Sequence, residues 1–319
     1  MNPRIEQLIA HGPPTREAVD AFLREQDFPL VEPGNVTFVY RGLAEEVILR
    51  RWISGFNTAL PMQLLEATDL WVLTMELPQG SRFEYKFEVV RNGERELLLD
   101  GLNEVVAHDP FGANSVCQGY GYQRPAWTLP DTDVRAGSVV QLPLYSQSFE
   151  GRRDVEVYLP ARFKRSRNYP LLIVHDGLDY LRYADLKTVL DNLIHRLEIP
   201  AMIVALTQSP DRLVEYTGDS RHARFLVEDL LPAMATGFPL LDDASARGLL
   251  GASLGGVAAL HAASQYPDCF GQLLLQSGSF AFSDLGHHQK GPVFDPVVRF
   301  MNGYRKNPLA LAQKVYLSC

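Results

Sequence analysis

A chain of 319 residues with 46% hydrophobic and 21% charged residues is long enough for two domains and too apolar to read as disordered. Its formal net charge of −8 argues against a nucleic-acid partner or an anionic membrane surface. Three scattered cysteines, Cys117, Cys269 and Cys319, imply neither a disulfide framework nor a zinc site. Residues 1–10 lack a signal-peptide core and no apolar run reaches membrane-spanning length, so the expectation is a soluble cytoplasmic protein.

In chain order, residues 15–26 have the pattern of a short amphipathic helix, capped by Thr15, with Ala18, Phe22 and Leu23 on one face. Pro29, Pro33 and Gly34 stop it, so residues 1–33 read as a helical lead-in. From Asn35 to about Cys117 short β segments follow: 36–40, 46–52, 70–75 and 83–90. The last alternates cleanly and meets Asn92-Gly93, a hairpin turn signal. Residues 34–135 are therefore expected to form a β-sandwich, with a Gly/Pro-rich linker at 118–138.

Residues 136–319 change character again. Strands are expected at 154–159, 171–174, 201–206, 247–251 and 273–275, with another beginning at 314–318. Helices fit 184–197, 221–235 and the segment after Ser253. This alternation predicts a doubly wound, mostly parallel α/β sheet.

The most informative run is Gly251-Ala252-Ser253-Leu254-Gly255-Gly256, a Gly-x-Ser-x-Gly sequence between an apolar strand and a small-residue helix. A serine there sits on a sharp turn, its hydroxyl lifted above the sheet and the Leu254 amide aimed at a developing oxyanion. A glycine-rich turn can also be a mere connector, but the strand–turn–helix context is what the nucleophile elbow of an α/β-hydrolase requires.

Other candidates lie at the same carboxyl edge. After strand 171–174 comes His175-Asp176-Gly177-Leu178-Asp179-Tyr180, where Gly177 would turn the backbone inward and the Leu178 amide would supply a second oxyanion donor. His175 closes a strand edge or contacts substrate, because the catalytic histidine of this fold follows the serine. Arg212 either pairs with Glu215 or meets an anionic substrate group, and Tyr216 lies beside them. Ser277, in Gln276-Ser277-Gly278-Ser279, marks a small-residue turn with room for substrate. His287 and His288 follow the serine but read as solvated surface.

These residues resemble the esterase family that includes enterochelin (ferric enterobactin) esterase. The resemblance rests on the HDG-x-DYL loop at 175–181, the R-x-x-EY stretch at 212–216 and Phe225-Leu226…Asp229-Leu230-Leu231-Pro232. It continues through the 251–256 elbow, Pro267-Asp268-Cys269-Phe270 and Gln276-Ser277-Gly278-Ser279. The HDGL loop is also similar to that of the mycolyltransferases, whose equivalent leucine amide helps form the oxyanion hole, which favours Leu178. The N-terminal half looks like the early-set, immunoglobulin-like sandwiches that precede such esterases, through Leu70-Trp71, Tyr85-Lys86-Phe87 and the segment 102–115.

The resemblance implies a serine esterase acting on a small-molecule ester, a catecholate siderophore above all, with or without bound iron. Ser253 would attack and the Leu254 and Leu178 amides would hold the oxyanion. His175, Asp176, Gly177, Tyr180, Arg212, Tyr216 and Ser277 would line the substrate site, and neither metal nor cofactor is needed. Family members continue past the strand matching 315–318 into an acid and a Gly-His loop. This sequence ends at Cys319 before either, so a weakly active chain with an uncovered edge beside Val315 and Leu317 is the expectation. A carbohydrate-directed acetyl or feruloyl esterase and a catalytically incomplete hydrolase-fold protein are the alternatives.

Overall fold

The computed structural model describes residues 2–51, 59–282, 291–308 and 314–318. The chain divides into two compact units, Met1–Arg124 and Pro125–Cys319. The division falls in the Gly/Pro-rich stretch that reads as a linker.

In the first unit two antiparallel sheets pack face to face. One has the spatial order Leu30–Glu32, Asn35–Arg41, Leu70–Glu76, Gln63–Leu64. The other runs Ala59–Pro61, Glu46–Arg51, Arg82–Arg91, Gly112–Gln118, Val106–Asp109, with Glu94–Leu98 also paired to Arg82–Arg91. Alternate residues of the strands, Phe83, Tyr85, Phe87 and Val89, meet Val36, Phe38, Val47 and Leu49 in a shared core. The Asn92-Gly93 hairpin forms with both residues at positive φ (51° and 77°), which matches the strand twist.

Residues 1–33 are not a separate lead-in to this sandwich. Helices Pro3–Ile9 and Arg16–Glu25 bring Ile5 and Val19 against Val39, Leu70 and Val72 on the outer face of the first sheet. Phe38 faces the inter-sheet core while Val39 faces the helices, so strand Asn35–Arg41 is apolar on both sides. Thr15 caps the second helix by accepting from the Ala18 amide at 3.2 Å, as expected. The buried stripe is Val19 with Phe22 and Leu23, however, and Ala18 is exposed. The first helix starts from an Asn2 cap with proline at its first position.

The second unit is a seven-stranded sheet in the order Ser138–Leu142, Val155–Leu159, Ile203–Leu206, Leu171–Val174, Arg247–Ala252, Gln272–Gln276, Lys314–Ser318. The first two strands are antiparallel to their neighbours and the other five run parallel. Helices cover both faces, and the strand pleat divides the core between them. Ile173, Ala205 and Leu249 pack under the Leu254–Gln265 helix, while Val174, Leu206 and Leu250 pack against Leu186 and Leu190. Strand Lys314–Ser318 lies at the sheet's edge with Val315, Tyr316 and Leu317 exposed.

Two helices differ from expectation. The helix expected over 184–197 forms as Leu186–His195, and an additional helix, Gly177–Tyr183, precedes it, separated by Asp185 at φ 47°. The helix over 221–235 is Ser220–Arg224, a π-helical stretch Phe225–Leu230 and Leu231–Gly237. Pro232 lacks the amide that a regular helix would use there. Helix Asp295–Lys306, which buries Val297 and Met301, has no counterpart in the sequence reading. Among the described residues no helix is long and apolar enough to cross a membrane.

Candidate active site

Ser253 ends strand Arg247–Ala252 and opens helix Leu254–Gln265 with φ 55° and ψ −118°, a conformation that a side-chain-bearing residue adopts only under constraint. The constraint comes from its neighbours. A Cβ on Gly251 would overlap the Gly255 carbonyl group, and one on Gly255 would lie 3.1 Å from His175 Cβ. Glycine is needed at 251, where the elbow folds onto its own backbone, and relieves a tight contact with the adjoining loop at 255. The Ser253 amide donates to Gln276 O at 3.0 Å, and Ser279 N donates to Ser253 O at 3.0 Å. The Ser253 hydroxyl shares a 2.9 Å hydrogen bond with the Ser279 hydroxyl.

The strands Leu171–Val174 and Arg247–Ala252 are parallel neighbours, with Val174 opposite Leu250. Their following loops therefore emerge at one edge of the sheet. Asp176, at φ 53°, breaks the first strand and starts helix Gly177–Tyr183, so the segment read as a loop is mostly helical. The left-handed residue is Asp176. Gly177 serves packing instead, because its Cβ would lie 2.5 Å from Leu206 Cα. Its amide is spent on Thr207 O at 2.7 Å. Leu178 and Leu254 each sit in the first turn of a helix, where amides have no intrahelical acceptor. Two helix N-termini thus open on the edge that carries Ser253, each with partial positive charge.

His175 and Tyr216, read as substrate contacts, are fully buried and support the site from beneath. His175 Nδ1 is 3.0 Å from Leu250 O, and its Nε2 has no partner, so it does not hydrogen-bond Ser253. Burial drives its pKa down to about 4, which keeps the ring neutral. Its ring packs edge-on to Tyr216 at 5.3 Å and lies 5.1 Å from His222, a buried histidine the sequence reading passed over. Burial likewise holds His222 neutral.

Arg212 does not pair with Glu215. It reaches Asp176 through Nη2 at 2.9 Å and Nε at 3.3 Å, while Glu215 binds Arg153 at 2.8 and 3.2 Å. Burial raises the Asp176 carboxyl and Arg212 opposes that rise. Asp176 and Gly177 are therefore structural members of the loop, with little surface for a ligand. Tyr180 is half-buried and donates its hydroxyl to Gln276 Oε1. Ser277 is exposed at φ 42°, its amide bonded to Ser318 O at 2.7 Å. It is Ser279, two residues on, that meets Ser253. The small-residue run signalled that contact, but only the fold decides which serine makes it. His287 and His288 lie outside the described residues. Among the described residues no cluster of His, Cys, Asp and Glu is arranged to hold a metal.

Residues 146–292 match the profile of the family described as Putative esterase. The chain is 24% identical over 262 residues to the iron(III) enterobactin esterase of Escherichia coli O6:H1 (strain CFT073), a match covering 73% of this chain and 64% of that protein. It is 28% identical over 148 residues to the uncharacterized protein YjcH of Bacillus subtilis, covering 44% and 62% of the two chains. The chain thus spans 64% of the length of the enterobactin esterase it matches. The crystal structure of ferric enterobactin esterase from Salmonella typhimurium superposes with a TM-score of 0.70 at 21% identity, covering 94% of this chain and 92% of that one. The enterobactin esterase of Shigella flexneri, crystallised in the presence of enterobactin, gives 0.70 at 19% identity over the same shares. These likenesses show an α/β-hydrolase fold preceded by an N-terminal domain.

Proposed function

We propose that the chain is a member of this esterase family and that it hydrolyses ester bonds of a small molecule, a catecholate siderophore such as enterobactin, with Ser253 as nucleophile. The strained Ser253 turn facing two open helix N-termini carries the reading. Ser253 Oγ bonds to the ester carbonyl carbon and its proton passes to a general base. The carbonyl oxygen, now an oxyanion, rests between the Leu254 and Leu178 amides. The C–O bond then breaks, the alcohol leaves with a proton, and water releases the acyl group by the same steps. Neither His175 nor His222 is the base, since their unbonded nitrogens are buried and unpartnered. The exposed Ser277 is the residue we assign to the substrate side, whereas the Tyr180 hydroxyl is engaged by Gln276. The first unit is read as an early-set-type sandwich, on its two antiparallel sheets and shared core.

The test is hydrolysis of enterobactin, iron-free and iron-loaded, and of an activated aryl ester, followed by mass spectrometry. Ser253→Ala should lower Ser253-dependent turnover by at least roughly 10²-fold. Unchanged hydrolysis in that variant sinks the nucleophile assignment. Cleavage of the aryl ester but of neither form of enterobactin keeps the esterase and removes the siderophore.

A further inference from the structure

In sheet order, the strand Ile203–Leu206 lies beside Leu171–Val174, then Arg247–Ala252, then Gln272–Gln276. Helix Gly177–Tyr183 grows from the second of these, yet its Tyr180 hydroxyl bonds the Gln276 side chain at the end of the fourth. The bond therefore passes over the strand that ends in Ser253. Gln276 is also opposite Ala252 in the parallel register, and its carbonyl accepts the Ser253 amide at 3.0 Å. One residue thus holds the nucleophile turn by its backbone and the oxyanion helix by its side chain.

On its other flank the helix is tied by Gly177 N to Thr207 O at 2.7 Å and by the Arg212–Asp176 pair at 2.9 Å. Tyr180 and Leu181 also pack against the cluster around Val174 and Leu206, but without the Tyr180–Gln276 bond the polar ties sit on one side only, and nothing polar fixes the helix's tilt toward Gln276. We propose that Gln276 is a positioning residue that sets the spacing between the Leu178 and Leu254 amides, with Tyr180 as its partner. This rests on the reading of Ser253 as nucleophile. Burial keeps the Tyr180 phenol protonated, so it serves as the donor throughout the working pH range.

An oxyanion hole works only when both donors point at the place where the charge develops, and displacement of a fraction of an ångström weakens it. Ground-state binding depends on other contacts. Loss of the bond should therefore fall on kcat and leave KM nearly unchanged.

Gln276→Met removes the acceptor at nearly constant volume, Tyr180→Phe removes the donor, and Gln276→Glu keeps a carboxylate acceptor. Two readouts are needed: aryl-ester kinetics together with phosphonate labelling of Ser253, and amide hydrogen exchange over 177–183 and 253–257. We expect Gln276→Met and Tyr180→Phe each to lower kcat about tenfold with KM within about twofold, the double variant to match either single one, and Gln276→Glu to recover most of the loss. Exchange should accelerate in both segments together in the Gln276→Met protein. Additive losses, a loss confined to KM, or unchanged exchange in either segment overturns the proposal. Failure of the esterase reading is a separate result, absence of Ser253 labelling in the unmodified protein. In that event the exchange experiment alone decides whether Gln276 couples the two segments.

Discussion

Two glycines that bear on Ser253 differ in how much a methyl group would cost. At Gly251 the added carbon meets backbone, the Gly255 carbonyl group, and backbone of a helix start does not yield cheaply. At Gly255 it meets His175 Cβ at 3.1 Å and Asp176 Oδ2 at 3.5 Å, close but adjustable. Gly251→Ala should destabilise the protein by about 2–4 kcal/mol, and Gly255→Ala by about 1–2 kcal/mol. Urea denaturation of the two variants checks the order, and equal losses would show that the elbow relaxes more than its geometry implies. Arg212 poses a different problem at the same scale. Its removal leaves the Asp176 carboxylate buried without its cation, whereas Asp176→Asn removes the charge as well. Arg212→Met should therefore cost more than Asp176→Asn, by about 1–2 kcal/mol. The reverse order would mean that the pair is not what holds the loop.

Among the elements, helix Gly177–Tyr183 matters most to the site, and its seating depends on a contact without a side chain. Gly177 lies against Leu206, and an alanine there would push the helix off the neighbouring strand. Gly177→Ala should slow phosphonate labelling of Ser253 by roughly 10²-fold, because a displaced helix carries the Leu178 amide with it. Far-UV circular dichroism should change little. Labelling at the unmodified rate would remove Leu178 from the oxyanion assignment. The helices of the first unit follow a plainer rule. Val19 is buried against the sheet and Ala18 is exposed, so Val19→Ala should cost about 1–2 kcal/mol while Ala18→Ser stays within about 0.5 kcal/mol.

Over the whole molecule, the two units should respond to acid in opposite directions. In the second, burial holds His175 at about 4 against an ordinary 6.5. Between those values the unfolded chain binds a proton that the native ring refuses, so stability falls as pH drops, by of order 3 kcal/mol for this group. His222 and His261 are lowered by burial too and add in the same direction. In the first unit, burial lifts Asp100 to about 6, although it accepts from Tyr85 Oη at 2.6 Å and from Leu102 N at 2.9 Å. Native Asp100 takes up its proton before the unfolded chain does, so stability rises as pH falls toward 4, by a similar amount. Hydrogen exchange, corrected for intrinsic rates, should show protection falling over 171–206 and rising over 85–117 on going from about pH 7 to about pH 5. A parallel fall in both segments would mean that Asp100 carries no such linkage.

The doubly wound half was legible because its central strands are short runs buried on both faces, such as Leu171–Val174, that alternate with helix-length segments. The hairpin at Asn92-Gly93 and the Ser253 turn were legible for a related reason: each needs glycine or a left-handed residue at one position, and few residues satisfy that. The order of chemistry along the chain, serine after the 175–180 segment, is also a property of the sequence. Partnership is not. Arg212 chose Asp176 over Glu215, Glu215 chose Arg153, and Ser253 met Ser279 where Ser277 had been singled out. Each choice depends on which loops the sheet brings to one edge, and residues dozens of positions apart carry no mark of that adjacency. Burial of His175 and Tyr216 follows the same logic, since a polar side chain looks alike in sequence whether a loop presents it to solvent or closes over it. The sequence by itself determined the central strands and the glycine-flanked Ser253 turn; the tertiary structure decided which side chains hold one another in place, because hydrogen bonds and ion pairs form between neighbours in space.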